Sequence, residues 1–156
     1  QPITGYNFGA RKADRVRESF GILLKSSVIY TTALWLIVMI FPRQVAMLFA
    51  GDGAFLDYTA WALRIYMALS LLMGIQLACQ QSFMALGQAK ISLLMACLRK
   101  IVLLIPLIFI LPLFFENKVM AVFLAEPISD IIAAAVTTGT FLTRFDKILK
   151  NGPMGR

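Results

Sequence analysis

Residues 65–89 read IYMALSLLMGIQLACQQSFMALGQA, 25 consecutive positions without a charge. A helix needs about 20 mostly apolar residues to cross a hydrocarbon core of about 30 Å, so this run is long enough to span a membrane. Arg64 stands at its entrance, and Gly87 and Lys90 stand at its exit. The rest of the chain has the same texture: of 156 residues, 60% are hydrophobic and 15% are charged. A soluble domain averages about 45–50% apolar and about 25% charged, so there is too little polar surface here to cover a water-facing globule. The expectation is an all-α, polytopic membrane helical bundle.

Working outward, residues 26–42 give 17 positions without a charge, preceded by Lys25, which can snorkel to the headgroups. A span over 21–41 follows, closed by Pro42 and Arg43. Residues 44–59 hold Asp57 and the turn signal Gly51-Asp52-Gly53, so they read as a loop. The central span is then placed at 60–86. Beyond it, 91–115 makes a third span that carries Arg99 and Lys100, with Pro106 and Pro112 expected to bend it. After the short connection Glu116-Asn117-Lys118, residues 119–143 form a fourth span, interrupted by Glu126, Pro127 and Asp130. There is no room for an additional soluble catalytic domain.

The first ten residues, QPITGYNFGA, contain Gly5 and Gly9 in a G-x-x-x-G pair that can let two helix backbones approach. The chain opens at Gln1 without an initiator Met, a charged n-region or a cleavage site. It therefore reads as a piece of a longer protein with no signal peptide.

Fifteen Lys and Arg against eight Asp and Glu give +7. Arg11, Lys12, Arg15 and Arg17 fall in a basic segment at 11–20, a loop or an interfacial helix, and Arg144, Lys147, Lys150 and Arg156 in a basic tail at 144–156. With Lys90, that places nine cations on one side of the membrane, against Arg43 and Lys118 on the other. The pattern is that of positively charged cytoplasmic loops rather than nucleic-acid binding, and it puts both ends of the chain in the cytoplasm. Cys79 and Cys97 lie in apolar runs and the chain has no His, so neither a metal site nor a redox pair is expected. No nucleophile with a base and no phosphate-binding glycine loop appears, so the chain does not read as an enzyme and calls for no cofactor.

The informative residues are those that are costly in a membrane. An ionised carboxylate near a helix centre costs roughly 2.5–3.5 kcal/mol on insertion scales. Glu126 and Asp130 lie about 10 and 16 Å into the fourth span at about 1.5 Å per residue, and their i, i+4 spacing puts them on one face. Two such carboxylates repel when both are ionised, so they can share a proton or attract a cation. A structural reading stands beside that one: Glu126 near the interface pairs with Arg64 or Lys118, and Asp130 bonds a neighbouring helix. Met73, Gln76, Gln80 and Met84 recur at helical spacing and form a polarisable stripe suited to a promiscuous ligand, or to interhelical bonding and core filling. Arg99 and Lys100 read as snorkelling anchors or partners of the cytoplasmic loops.

Four strings carry a family resemblance: QPITGYNFGA at 1–10, QQSFMALGQAK at 80–90, LRKIVLLIPL at 98–107 and EPISD at 126–130. Together they resemble the multidrug and toxic compound extrusion (MATE) family, and look most like its MepA-like branch. The resemblance implies twelve helices in two six-helix lobes, of which this chain holds the end of helix eight (residues 1–10) and helices nine to twelve. It implies export of organic cations and other xenobiotics across the cytoplasmic membrane by alternating access, in exchange for protons or sodium ions. The partners implied are those organic cations, the lipid bilayer and the missing N-terminal lobe. Some members carry a sodium-site acid in helix ten, and residues 65–89 have none. Two alternatives remain: a lipid-linked oligosaccharide flippase, which would need an unmatched basic cavity that Arg64, Arg99 and Lys100 could serve, and a non-transporting membrane scaffold, in which the acids would be paired.

Overall fold

A computed structural model describes residues 1–49, 51 and 53–152 of the chain. Asp52 of the expected turn and Arg156 of the basic tail lie outside the described residues. Among the described residues every regular element is helical. The order is α1 (Pro2–Gly9), α2 (Ala13–Ile40), α3 (Pro42–Met47), α4 (Ala54–Tyr66), a 3₁₀ turn (Ser70–Leu72), α5 (Met73–Ala85), α6 (Ala89–Cys97), a π-helical segment (Leu98–Leu104), α7 (Ile105–Phe114) and α8 (Lys118–Asn151). Among the described residues, three helices are long and apolar enough to cross a membrane, namely α2, the continuous Ala89–Phe114 helix and α8; α4 and α5 make a fourth if their bent pair is one span.

The connections are tighter than the charge pattern predicts. The basic segment 11–20, open to a loop or an interfacial helix, is helical from Ala13 onward, and within it only Arg11 and Lys12 stand between helices. Val16 is fully buried against Phe8 and Leu86, which gives this amphipathic stretch a reason to stay helical. The turn itself is a Schellman motif: Lys12 N–H donates to the Asn7 carbonyl at 2.9 Å and Arg11 N–H to the Phe8 carbonyl at 3.0 Å. Arg11 takes the left-handed position, with φ 57°. The same motif closes α5, where Gln88 N–H meets the Phe83 carbonyl at 2.8 Å and Gly87 supplies φ 73° without a Cβ penalty. Of the G-x-x-x-G pair only Gly5 makes a close approach: a Cβ there would lie 3.3 Å from the Ala85 carbonyl oxygen, whereas one on Gly9 would meet nothing among the described residues.

At the opposite end of the bundle the expected 44–59 loop is largely replaced by α3 and the start of α4. Ala46, Leu56 and Ala60 bury one another there, and Arg43 pairs with Asp57 at 3.3 Å.

The most uninterrupted apolar run of the sequence is not one straight helix. It breaks after Tyr66 and resumes, bent by 45°, at Ser70. A break inside a membrane leaves carbonyls that lipid cannot satisfy, so other protein groups must accept the task. Helix α2 supplies them: Trp35 Nε1 donates to the Ala68 carbonyl at 2.8 Å, and Thr31 Oγ1 lies 3.3 Å from that of Leu71. Gly74 lets the two backbones close, since a Cβ there would sit 2.9 Å from the Ser27 carbonyl oxygen.

The third span runs as one continuous helix from Ala89 to Phe114 through both prolines. Pro106 lacks the N–H that would bond Val102, and its ring crowds that carbonyl, a demand met where the ladder widens to π geometry over Leu98–Leu104. Helix α8 is the central element, with 44% of its apolar window buried against 0% for α2. Small residues Ala121, Ala125, Ala133 and Ala134 let its neighbours approach. Its 34 residues give about 51 Å, so the segment expected as a tail continues the helix to Asn151. That extension is held by a cluster of Phe20, Phe83, Phe141 and Phe145, with Phe141 4.5 Å from Phe20, and by the Arg17–Asp146 pair at 3.0 Å. The starts of α2 and α6 and the end of α8 thus share one end of the bundle.

Candidate ion-pair site between the π segment and α8

Glu126 and Asp130 both project from the buried face of α8, with 8% and 3% of their side chains exposed. Counting from Lys118, they stand about 12 and 18 Å along the helix. Both face Arg99. Its Nε donates to Asp130 Oδ1 at 2.7 Å and its Nη2 to Glu126 Oε1 at 3.0 Å. Lys100 Nζ donates to the same Glu126 oxygen at 2.9 Å. Ser129, between the acids, donates its hydroxyl to the Arg99 carbonyl at 3.0 Å. Two acids and two bases are therefore joined in one neutral cluster.

Local backbone geometry makes this possible. Adjacent residues on an α-helix point about 100° apart and would not both reach one acceptor easily. Arg99 and Lys100 lie in the π segment, where the widened turn brings both onto α8. The expectation that they anchor to headgroups or cytoplasmic loops is corrected: the low cost of pairing buried opposite charges, against leaving either unpaired, draws them inward. The pairing of Glu126 with Arg64 or Lys118 is corrected as well. The carboxylate is occupied by Arg99 and Lys100, and Arg64 Nη2 lies 3.4 Å from the Met39 carbonyl.

The Met73, Gln76, Gln80 and Met84 stripe is divided by the packing. Met73 reaches the charge cluster, its sulfur 3.7 Å from Arg99 Nη2. Gln76 is buried, and neither its amide nitrogen nor its oxygen has a hydrogen-bond partner among the described residues. Gln80 contributes its backbone carbonyl to Ser92 Oγ at 3.2 Å. Met84 is half exposed at the other end of α5, 3.8 Å from the Gln1 amide. Met73 also lines an apolar groove of about 290 Å³ between α2 and the broken span, together with Tyr30, Leu34, Met67 and Leu77 among others. The unsatisfied amide of Gln76 and the groove are beyond sequence reasoning, since both depend on which neighbours α5 acquires.

A family model described as MatE matches residues 1–110. The chain belongs to the MatE family. Its basic pair Arg99 and Lys100 falls inside the matched region, and its acidic pair lies beyond it. The MatE chain is similar in fold to an inward-facing multidrug resistance MATE family transporter of the MOP superfamily, with a TM-score of 0.85 at 20% identity over 96% of this chain and 34% of that one. An outward-facing transporter of the same description gives 0.84 at 21% identity, over 94% of this chain and 33% of that one. The MATE multidrug transporter DinF-BH, solved in complex with a ligand, gives 0.83 at 30% identity over 95% of this chain and 32% of that one. The chain thus spans about a third of the length of the solved structures it matches. No curated protein sequence matches it.

Proposed function

We propose that the chain is the C-terminal part of a MepA-like multidrug efflux antiporter, a transporter rather than an enzyme. It contributes the end of helix eight and helices nine to twelve to the second of two lobes in the cytoplasmic membrane, with both ends of this chain cytoplasmic. The whole protein exports organic cations in exchange for protons or sodium ions. The observation that carries this reading is the Glu126, Asp130, Arg99, Lys100 cluster inside the membrane-spanning part of a MatE family chain. Charges kept at that depth are costly and are retained where they serve transport.

Glu126 and Asp130 are the coupling residues in this reading, exchanging a bound cation for the coupling ion as two lobes rock around a midplane site. Met73, whose sulfur lies beside Arg99, lines the substrate cavity in this reading. The near-equal fit of this chain to an inward-facing and an outward-facing structure supports a lobe that moves as a unit.

A flippase would need unmatched cations, and of Arg64, Arg99 and Lys100 the latter two are matched by the two acids. The same pairing favours, as a second reading, a membrane scaffold with no transport. Efflux of a fluorescent organic cation from vesicles holding the full-length protein separates the two. Loss on collapse of the proton gradient alone supports proton exchange, loss on collapse of the sodium gradient alone moves coupling out of this chain, and no efflux at all overturns the transporter reading.

A further inference from the structure

The two bases of the cluster are not equivalent. Arg99 is 14% exposed, bonds both carboxylates, and has its own carbonyl held by Ser129. Lys100 is 53% exposed and makes one bond, to the Glu126 oxygen that Arg99 already contacts. Arg99 has a rigid fork of donors that cannot leave without stranding two buried acids. Lys100 is a point charge on a flexible stem, and its departure leaves Glu126 still bonded by Arg99.

We propose that Lys100 is a built-in counter-cation, which an organic-cation substrate displaces from Glu126 while Arg99 stays in place as a clamp. This rests on the efflux reading above and adds the identity of the group that competes with substrate. The charge arithmetic supports it. With Lys100 withdrawn, one arginine faces two carboxylates, Glu126 and Asp130, so the cluster carries an excess negative charge for a cation to fill. The surroundings fit a cation with an apolar body. An apolar groove lined by Tyr30, Leu34, Met67 and Leu77 also takes in Met73, whose sulfur lies 3.7 Å from Arg99 Nη2, so apolar surface stands beside the cluster. A hydrophobic monocation that approaches Glu126 from the exposed side, where Lys100 stands, would take the place of its amine. In the absence of substrate Lys100 keeps Glu126 neutralised, and the displaced amine becomes free.

Two measurements on the full-length protein test this. In the first, ethidium binding is followed by fluorescence anisotropy at fixed pH and salt for the parent, Lys100→Gln and Lys100→Arg. Lys100→Gln should bind about tenfold more tightly, the scale of one charge-assisted hydrogen bond removed from the competition, and Lys100→Arg no more tightly than the parent. Unchanged or weaker binding by a Lys100→Gln protein that still unfolds cooperatively overturns the proposal. The second needs no variant: acylation of Lys100 by an amine-reactive reagent, read by mass spectrometry, should rise when tetraphenylphosphonium is added to the parent. An unchanged yield overturns the proposal even if Lys100→Gln fails to fold. A parent that exports dye but shows neither effect sinks the role of Lys100 alone, whereas a parent that neither binds nor exports a cation sinks the efflux reading with it.

Discussion

Trp35 on α2 reaches the carbonyl of Ala68, 2.8 Å from its indole nitrogen, at the point where the neighbouring span loses its helical hydrogen bonds. The break is therefore a built feature, held open by a partner helix. Removing the donor while keeping an aromatic ring, as in Trp35→Phe, should cost about 1 kcal/mol, because it leaves a carbonyl without a partner. Thermal unfolding of the full-length protein in detergent checks this; a midpoint equal to the parent's would mean that water or lipid headgroups already serve that carbonyl.

Glycine positions differ in the same way. Gly74→Ala would push a Cβ to 2.9 Å from the Ser27 carbonyl oxygen and 3.1 Å from its carbon, both backbone atoms that cannot swing aside. A loss of about 1–3 kcal/mol is expected from such overpacking. Gly139→Ala, in α8 with no described atom within 4 Å of the new Cβ, should be neutral or slightly stabilising, since alanine is the better helix former. Comparing the two by thermal unfolding isolates the contact between α2 and α5 from the helix propensity of glycine itself.

Arg99 should matter more for stability than Lys100. Among the described residues, Arg99→Gln strips the only side-chain bond to Asp130 and one of two to Glu126, with both acids nearly enclosed. Breaking a buried pair from one side typically costs about 3–5 kcal/mol. Lys100→Gln leaves Glu126 its bond to Arg99 and should cost about 1 kcal/mol or less, as befits a half-exposed partner. Equal losses for the two in chemical or thermal unfolding would count against the division of roles.

Transport should depend on the acids without depending on them for insertion. The double substitution Glu126→Gln with Asp130→Asn should abolish export of a fluorescent organic cation and leave the amount of protein in the membrane unchanged. Because the two amides face Arg99 and Lys100 without charge, some stability is lost, and expression must be measured beside efflux. Normal dye export by this variant would remove both residues from the site.

The sequence alone determined the class of fold. Its lack of charge over 25 residues at 65–89 and the polar breaks around it require helices that cross a membrane, since only a helix satisfies its own backbone there. The spacing of Glu126 and Asp130 likewise fixed their common face, because i and i+4 lie one turn apart on any helix. The basic residues at 11–20 leave a loop and an interfacial helix equally open and those at 144–156 point to a tail, and the described part of both stretches is largely helical, because charge marks the membrane boundary and not the helix boundary. Val16 and Phe145 show why the helices run on: each is packed against another helix that the sequence does not name.

What only the tertiary structure decided is where the helices fail to be regular and which charges meet. The break at 67–69 has no proline to announce it and exists because α2 brings Trp35 and Thr31 to its carbonyls. The pairing of Arg99 and Lys100 with α8 needs the π turn, 26 residues or more of chain separation, and the physical rule that buried charges seek opposite charges rather than sequence neighbours. Period and hydropathy are local quantities that a sequence displays directly; partnership across helices is set by packing, and becomes visible only once the helices stand side by side.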